Sequence, residues 1–485
     1  MLFKGRTGIT GVALAIGSIA ALPAVAQGSV TLTTTPALTP KFSTTISDYI
    51  TTCPANKVSV TSSSSSTSPV KIDRGSLKSG KQTALVNVSP GQRFQVVVGK
   101  GSKATTHSIR CVPSDFPAFQ ASGKLPSSIP FFALSAPGLT GPPVPYAVVV
   151  DSNGTPVWWK ETPGKTPIDV KFLTGGRIGF WTGTLSAREE SDGPFSVYGF
   201  NGVKQRDVNV VGGWGDLHDT TPTPRGTYYR IAAILRDSWD LTAFGGGSAD
   251  QIIGNVVQEI DSSGNVVWQW DAQDHIGMAE TGERWWAALG FRPVKPPWDV
   301  NHINAIEEDG QGGVLISARH NDAIYRVNKS DGSITWKLGG ATTSKSLTVV
   351  GDSANALHLG GQHDVRVQPD GTITVYDNGS GLGRPPRALR WRIDANAKTA
   401  TLVEQITDPA IRLSAALGSA RRMSDGAWLI SWTTYPWVKA YDKSHKQIFA
   451  LKLVSNGRAY RAAPATPALA TRAQLVAGMD AQFPR

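Results

Sequence analysis

Short alternations of apolar and polar residues, separated by turn residues, fill most of the chain from about residue 130 onward, which is typical of antiparallel β-strands. One kind of hairpin ends in tryptophan and is clearest at YAVVVDSNGTPVWW (146–159), VVQEIDSSGNVVWQW (256–270) and IYRVNKSDGSITWKL (324–338). A second kind alternates with it, as in INAIEEDGQGGVLIS and DVRVQPDGTITVY. Two antiparallel hairpins per unit, repeated about six times, predict an all-β fold with a six-bladed β-propeller. A strand near Phe131–Ser135 is expected to complete the sixth blade and cover its edge.

The region before this repeat predicts a separate small domain. It is rich in Ser and Thr and contains the alternating runs KVSVTSSS, TALVNVS and RFQVVVG, which are typical of a β-sandwich. The two cysteines of the chain, Cys53 and Cys111, both lie here. In an exported chain such a pair is most simply a disulfide, with two unpaired thiols as the alternative.

The N-terminus has the three parts of a secretory signal peptide. Lys4 and Arg6 precede an apolar run, and Ala24-Val25-Ala26 fits a cleavage site before Gln27. A membrane anchor is the weaker alternative because the apolar run is short and interrupted, and no later stretch is long enough to span a bilayer. We therefore expect a secreted or extracytoplasmic protein, periplasmic or at the cell surface. Its predicted parts are a signal peptide at 1–26, a disulfide-linked β-sandwich at 27–125, the six-bladed propeller at 126–465 and a C-terminal tail at 466–485.

The charge of the chain narrows its partners. The full chain has a formal net charge of +11, and removal of residues 1–26 leaves 46 basic and 37 acidic residues, or +9. The basic residues are scattered rather than clustered, so we expect no nucleic-acid partner. The positive charge could favour anionic substrates or association with cell-wall polymers, and solubility alone is the other interpretation.

Three of the eight histidines occupy one phase of the repeat. Each precedes its turn glycine by eight residues: His218 before Gly226, His302 before Gly310 and His363 before Gly371. The same position holds Ile168 and Gly418 in other units, so the repeat itself does not require histidine. Because the innermost strands of a propeller meet at its axis, we expect these three imidazoles to converge in one pocket.

Other residues at this end of the predicted strands suggest the chemistry. Arg319 closes the strand after His302, and Asn304 follows that histidine by two residues and is expected on the same face. A metal site is one interpretation of clustered histidines, but a guanidinium would repel the cation, so a site for a tetrahedral oxyanion such as sulfate or phosphate is favoured and no metal or cofactor is expected. Asp364, next to His363, is expected to point away and to be structural. Trp286, in a long aromatic segment, is expected to stack against a substrate ring, with self-packing of that segment as the alternative.

The motifs WDVNHINAI, GVLISAR, GSITWKLGG and GQHDVRV, in this order, resemble the bacterial aryl-sulfate sulfotransferase family over roughly residues 130–460. The resemblance implies a six-bladed propeller that moves a sulfuryl group from a small-molecule aryl sulfate donor to a phenol acceptor without a nucleotide sulfate donor. It implies that His363 is the nucleophile and forms a transient sulfohistidine. His302, Asn304, Arg319 and His218 match the other motif positions of the family. The N-terminal region resembles the cadherin-like module that precedes some secreted members.

Three other functions fit parts of the sequence. The stretch GGATTSKS at 339–346 approaches a phosphate-binding loop but has Ser344 where the second glycine belongs. A quinone-dependent dehydrogenase would share tryptophan repeats but needs calcium-binding acids at the axis. A non-catalytic secreted or cell-wall propeller that binds an anionic ligand is the main alternative to the sulfotransferase.

Overall fold

The structure is a computed structural model that describes residues 30–135, 145–183, 192–290, 297–354, 357–454 and 457–485. The predicted signal peptide lies outside these residues. The described N-terminal strands form two sheets, ordered β1-β3-β6 and β2-β8-β7-β4-β5. In chain order they are β1 Thr31–Thr35, β2 Asp48–Thr52, β3 Lys57–Ser64, β4 Val70–Ile72, β5 Leu77–Lys78, β6 Gly80–Asn87, β7 Arg93–Val98 and β8 Thr105–Val112.

The two N-terminal sheets enclose one apolar core, as in a β-sandwich. Alternate residues of the strands point into it; in β3, for example, Val58 and Val60 are fully buried. The core also contains the predicted disulfide, Cys53–Cys111, which is confirmed with a Cα–Cα distance of 5.8 Å. It links the residue after β2 to β8, the strand that β2 pairs with in parallel. The likeness to a cadherin module stays a prediction.

The rest of the chain forms mainly antiparallel sheets in which most paired strands are sequence neighbours, and among its described strands only the short ones at Trp298–Asp299 and Thr348–Val350 are added to a sheet in parallel. A linker strand, β9 Phe119–Gly123, precedes sheet 1, which contains β10 Phe131–Ser135, β11 Tyr146–Asp151 and β12 Pro156–Glu161. Sheet 2 contains β13 Ile168–Leu173, β14 Arg177–Trp181, β15 Phe195–Gly199 and β16 Lys204–Val208. Sheet 3 contains β17 Trp214–Pro222, β18 Tyr228–Trp239, β19 Asp250–Ile260 and β20 Val266–Asp271, with β21 Trp298–Asp299 beside β19.

The last three sheets have the same meander order. Sheet 4 contains β22 Ile303–Glu308, β23 Gly313–Ala318, β24 Ala323–Asn328 and β25 Ile334–Gly339. Sheet 5 contains β26 Thr348–Val350, β27 His363–Val367, β28 Ile373–Asp377, β29 Arg387–Asp394 and β30 Thr399–Ile406. Sheet 6 contains β31 Ser419–Arg422, β32 Trp428–Trp432, β33 Trp437–Tyr441 and β34 Gln447–Leu453, and β35 Ala462–Ala465 follows it.

The innermost strands form a closed cycle in the order β35, β13, β17, β22, β27 and β31, each in contact with the next and the last with the first. The predicted all-β propeller class is confirmed. The expected closing strand is wrong, because β10 (Phe131–Ser135) belongs to sheet 1. Sheet 1 takes its innermost strand, β35, from the C-terminal end, and sheet 6 takes its outermost strand, β9, from the linker. The linker and the C-terminal segment thus each supply a strand to the ring, and each strand pairs with what would otherwise be the edge of its sheet.

Helices are few in the described residues. The α-helices are α1 Glu283–Gly290 and α2 Arg472–Gln482, and short 3₁₀ turns lie at Pro54–Asn56, Gly101–Lys103, Thr242–Phe244, Ala272–Asp274, Met278–Glu280 and Arg319–Asn321. None of the helices described is long and apolar enough to cross a membrane.

Helix α2 occupies the segment predicted as a tail. The Thr471 side chain caps its first turn, and the helix packs against β12 of sheet 1. Asp480 on the same helix forms ion pairs with Arg93 and Arg110 of the sandwich. The C-terminal segment therefore joins the sandwich to the propeller. The predicted domain limits stay predictions, although β9 lies within 27–125 and pairs with the propeller.

Candidate functional site

Of the three phased histidines, His302 and His363 lie where the innermost strands of sheets 4 and 5 begin, and His218 lies within β17, the innermost strand of sheet 3. The ring centroids of His218 and His302 are 4.6 Å apart, and those of His218 and His363 are 6.3 Å apart. The pairing register is interrupted in β17, β22 and β27 at or just after the histidine position, as in a β-bulge. A bulge re-aims the adjacent side chains, and here the three imidazoles meet near the axis of the ring.

His363 is fully buried, and its hydrogen bonds define one tautomer. Nδ1 lies 2.9 Å from both Gly361 O and Asn378 Oδ1, so it carries the proton and donates. Nε2 therefore holds the lone pair and accepts from the Leu417 N–H at 3.1 Å. Burial, together with the positive charge of Arg319, holds the pKa of His363 well below its usual range, so the ring is neutral near pH 7.

His218 and His302 face each other, and each has a carboxylate behind it. Their Nε2 atoms are 3.2 Å apart. Nδ1 of His218 lies 2.9 Å from Asp216 Oδ1, and Nδ1 of His302 forms a very short contact with Asp299 Oδ2. Burial alone would raise the pKa of Asp299, but the facing imidazoles, His302 first, lower it on balance, so this carboxylate is ionised.

Arg319 lies at the rim of the pocket and is held on three sides. Its Nη2 donates to Ala415 O at 2.9 Å, its Nη1 lies 2.7 Å from Nε2 of His320, and its guanidinium carbon is 4.3 Å from the centre of the Trp285 ring. Nδ1 of His320 donates to Asp299 O at 2.5 Å, which leaves Nε2 as the acceptor for the arginine. The orientation of Arg319 is therefore fixed before any substrate binds.

The two predicted substrate-binding residues have other contacts. Nδ2 of Asn304 donates to Gln362 O at 2.7 Å, so this buried side chain contacts the backbone next to His363. Trp286 packs against Phe244 with a ring separation of 4.7 Å, in an apolar cluster beside β21. Its neighbour Trp285 is the indole that reaches Arg319. Asn304 thus contacts the backbone beside His363, Trp286 packs against Phe244, and substrate binding by either residue stays a prediction.

A buried layer of charges lies next to the histidines along the axis. Asp219 accepts from Lys171, Arg366 and Arg461, each at 2.9 Å. Burial raises the pKa of Asp219, but these three cations outweigh it and keep the carboxylate ionised. The layer is an ion-paired network that lies beneath the pocket.

The expectation that Asp364 points away is wrong. It has a left-handed backbone at φ 62° and is fully buried. Its carboxylate bonds Arg421 at 2.6 Å and Arg366 at 3.1 Å. The simple alternation of strand side chains fails here because the bulge turns Asp364 into the axis. A sequence signal existed, because aspartate also follows the phased position at Asp169 and Asp219.

One group of residues in the pocket has the spacing of metal ligands. Ligand atoms of Asp299, His302 and His320 lie within 4.8 Å of one another. Asp299 and His302 already bond each other, however, and Nε2 of His320 already bonds Arg319 at 2.7 Å, so a cation there would be repelled by the guanidinium. The donors that face the pocket therefore suit an oxyanion better than a cation.

Sequence reasoning missed Asp216, Asp299, His320 and Asn378. Asp216 and Asp299 lie two and three residues before a phased histidine, and His320 directly follows Arg319, so proximity to these motifs was the available signal. Asn378 comes from the end of β28 and had no such signal. Its contact with His363 depends on how adjacent strands pair.

No curated protein matches the chain. Among solved structures, a protein of unknown function from Bacteroides caccae is 10% identical at a TM-score of 0.43, with 69% of this chain and 98% of that chain covered. A catalytically inactive virginiamycin B lyase from Staphylococcus aureus, solved with quinupristin, is 10% identical at a TM-score of 0.37, with 70% and 100% covered.

The informative comparison is with family models. The model described as arylsulfotransferase (ASST) matches residues 172–453, a span that begins in sheet 2 and ends in sheet 6. This span contains His218, His302, Arg319 and His363. It supports aryl sulfotransferase activity in general terms, and an extracytoplasmic location is compatible with the disulfide. The chain belongs to the arylsulfotransferase (ASST) family.

Proposed function

We propose that this protein transfers a sulfuryl group from an aryl sulfate ester to a phenolic acceptor through a sulfohistidine at His363, without a nucleotide sulfate donor. The observation that carries this proposal is the state of His363. It is neutral, its proton is held on Nδ1 by two oxygen acceptors, and its lone pair is on Nε2 within a pocket that also holds Arg319. A neutral imidazole with a defined lone pair is the form that can attack sulfur.

The first half-reaction uses the residues of this pocket in separate roles. The Nε2 lone pair of His363 forms the N–S bond while the bond between sulfur and the aryl oxygen breaks, and that electron pair leaves with the oxygen. Arg319 stabilises the charge on the sulfuryl oxygens, and His218 supports His302, which it faces at 3.2 Å. His302, the most exposed of the three phased imidazoles, protonates the departing phenolate and later takes the proton of the acceptor phenol.

The nucleophile must be uncovered before it reacts. Nε2 of His363 accepts a hydrogen bond from Leu417 N–H. The same segment is held by Arg319, which donates to Ala415 O two residues before Leu417. A sulfate group that binds Arg319 competes for the guanidinium with Ala415 O. Donor binding thereby loosens the segment that covers His363, so substrate binding and exposure of the nucleophile are coupled.

An apolar surface beside the histidines supports an aryl substrate. Leu217 and Leu417 are partly exposed and pack on the buried rings of Trp181 and Tyr460. Leu217 directly precedes His218, and the Leu417 backbone covers His363. An aromatic ring placed here would lie next to the sulfur-transfer centre. Trp286, the residue expected to stack on the ring, lacks comparable support because it packs against Phe244.

The test is transfer from 4-nitrophenyl sulfate to phenol by the purified protein, with no metal or nucleotide added. We expect ping-pong kinetics, with 4-nitrophenol released before the acceptor binds. His363→Ala should lose nearly all transfer but still bind sulfate, because Arg319 remains. Sequential kinetics, or undiminished turnover in His363→Ala, would place the nucleophile elsewhere.

The same experiment addresses the alternative function, a non-catalytic propeller that binds an anion. That function predicts sulfate binding without transfer in the wild-type protein. The intact mass of the exported protein should match a chain that begins near Gln27, as the predicted signal peptide requires.

A further inference from the structure

The facing pair His218 and His302 has a contact that neutral rings cannot satisfy. The Nε2 atoms are 3.2 Å apart, which is hydrogen-bond distance. Both Nδ1 atoms are directed at carboxylates, Asp216 and Asp299, and therefore carry protons. If both rings were neutral, two lone pairs would face each other across the gap between the Nε2 atoms.

We infer that His218 and His302 hold one shared proton between their Nε2 atoms, kept there by Asp216 and Asp299, and that this is the proton given to the leaving phenolate. The inference rests on the proposed function for its second half. With the proton present, one ring is an imidazolium and donates to the other. Asp216 and Asp299 are positioning residues, since they act through the imidazoles.

Groups on neighbouring elements act on this proton in both directions. The carboxylates of Asp216 and Asp299 attract it. The guanidinium of Arg319 repels it, and His320 and His363, whose rings lie near those of the pair, are both neutral and add no positive charge. Asp216 and Asp299 bond the pair directly, and this attraction favours the protonated form against the repulsion by Arg319, so the proton is retained.

The shared proton balances the two half-reactions. When the S–O bond of the donor breaks, the phenolate takes the proton and leaves as a phenol, and the two Nε2 lone pairs then face each other. This arrangement is a strong base, because regaining a proton removes the repulsion. The acceptor phenol restores the proton, and its oxygen attacks the sulfur and releases His363. An acceptor must therefore carry an ionisable hydroxyl group.

The proton can be counted without turnover. In protein with ¹⁵N-labelled histidine at pH 7, we expect the Nε2 signals of His218 and His302, assigned with single His→Gln variants, to show one proton between them. Two bare Nε2 atoms, or two fully protonated ones, would overturn the inference. A protein that shows the shared proton but no sulfuryl transfer would instead refute the proposed function alone.

The catalytic half is tested with Asp299→Asn against a matched control, Asp352→Asn, which removes the carboxylate that contacts His358 at 3.1 Å outside the pocket. Asp299→Asn weakens the hold on the proton, so the alkaline limb of the kcat profile should move to lower pH by about one unit. Transfer from phenyl sulfate should fall about 10²-fold and transfer from 4-nitrophenyl sulfate less, because the better leaving group needs less protonation. In the control, the alkaline limb should not move, and any loss of rate should be equal for the two donors. The same behaviour in Asp299→Asn would refute the role of Asp299.

Discussion

Arg319→Ala is the substitution whose effect follows most directly from the structure. The guanidinium is held by His320 and the Trp285 ring before any donor arrives, and only its bond to Ala415 O is exchanged for bonds to the sulfuryl oxygens. The loss of one such preorganised, charge-assisted donor costs about 3–4 kcal/mol, or 10²–10³ in kcat. Arg319 is also a cause of the lowered pKa of His363, so its removal raises that pKa.

For Arg319→Ala, both kcat and its pH profile should therefore be measured with 4-nitrophenyl sulfate. We expect kcat to fall by about 10²–10³, and the acid limb of the pH profile to move to higher pH, because His363 now takes up a proton more readily. Arg319→Lys should keep the limb near its original position, since the charge remains, while losing part of the rate with the planar donor fork.

The matched control is Arg284→Lys. Arg284 also lies over the Trp285 ring, at 4.1 Å, but its guanidinium pairs with Asp322 rather than facing the histidines. It should reduce stability with little effect on the acid limb. If Arg319→Ala keeps kcat within about threefold of wild type, or if its limb does not move, the assigned role of this arginine is wrong.

Three further outcomes concern stability. His320 and His363 have pKa values well below the 6.5 of an unfolded chain, so the unfolded state binds more protons below pH 6.5, and each residue should lower the free energy of unfolding by about 1.4 kcal/mol per pH unit as the pH falls. Urea titrations from pH 7.5 to 5.5 should show a weaker dependence of this free energy on pH for His320→Gln, and an equal dependence would contradict the reasoning. Trp286→Ala should cost about 2–3 kcal/mol of stability and change KM for aryl donors little; a raised KM at unchanged melting temperature would restore its predicted contact with substrate. Reduction of the Cys53–Cys111 bridge, whose cysteines are 58 residues apart, should destabilise the sandwich by about 4 kcal/mol in calorimetry, and an unchanged transition would refute that contribution.

The propeller and the convergence of three imidazoles could be predicted because both follow from the spacing of residues within the sequence repeat. The distance of His218, His302 and His363 from their turn glycines sets their height on the innermost strands, whatever their neighbours are. The side-chain direction of Asp364 could not be predicted, since one bulge residue reverses the alternation. The strand that completes sheet 1 was equally hidden, because β35 has no turn or tryptophan pattern and is recognised only by its pairing with β10.

The hydrogen-bond partners of the histidines could not be predicted from the sequence for a related reason. Asp299 contacts His302 from three residues away, but Asn378 contacts His363 from the end of β28 and Leu417 from the segment before β31. A single sequence contains no record of which strand ends lie side by side. The sulfotransferase resemblance supplied the roles of the five matched residues but not the carboxylates behind two of them.

The pairing of β35 with β10, which completes sheet 1, determines when the propeller can close during synthesis. Arg461, directly before β35, neutralises Asp169 and Asp219, which are synthesised 292 and 242 residues earlier. While the chain is still emerging, those two acids lack this partner, and the ring lacks the innermost strand of its first sheet. The pocket is therefore assembled at the end of synthesis and export, and a chain that stops before residue 461 should be open and inactive even though every phased histidine is present.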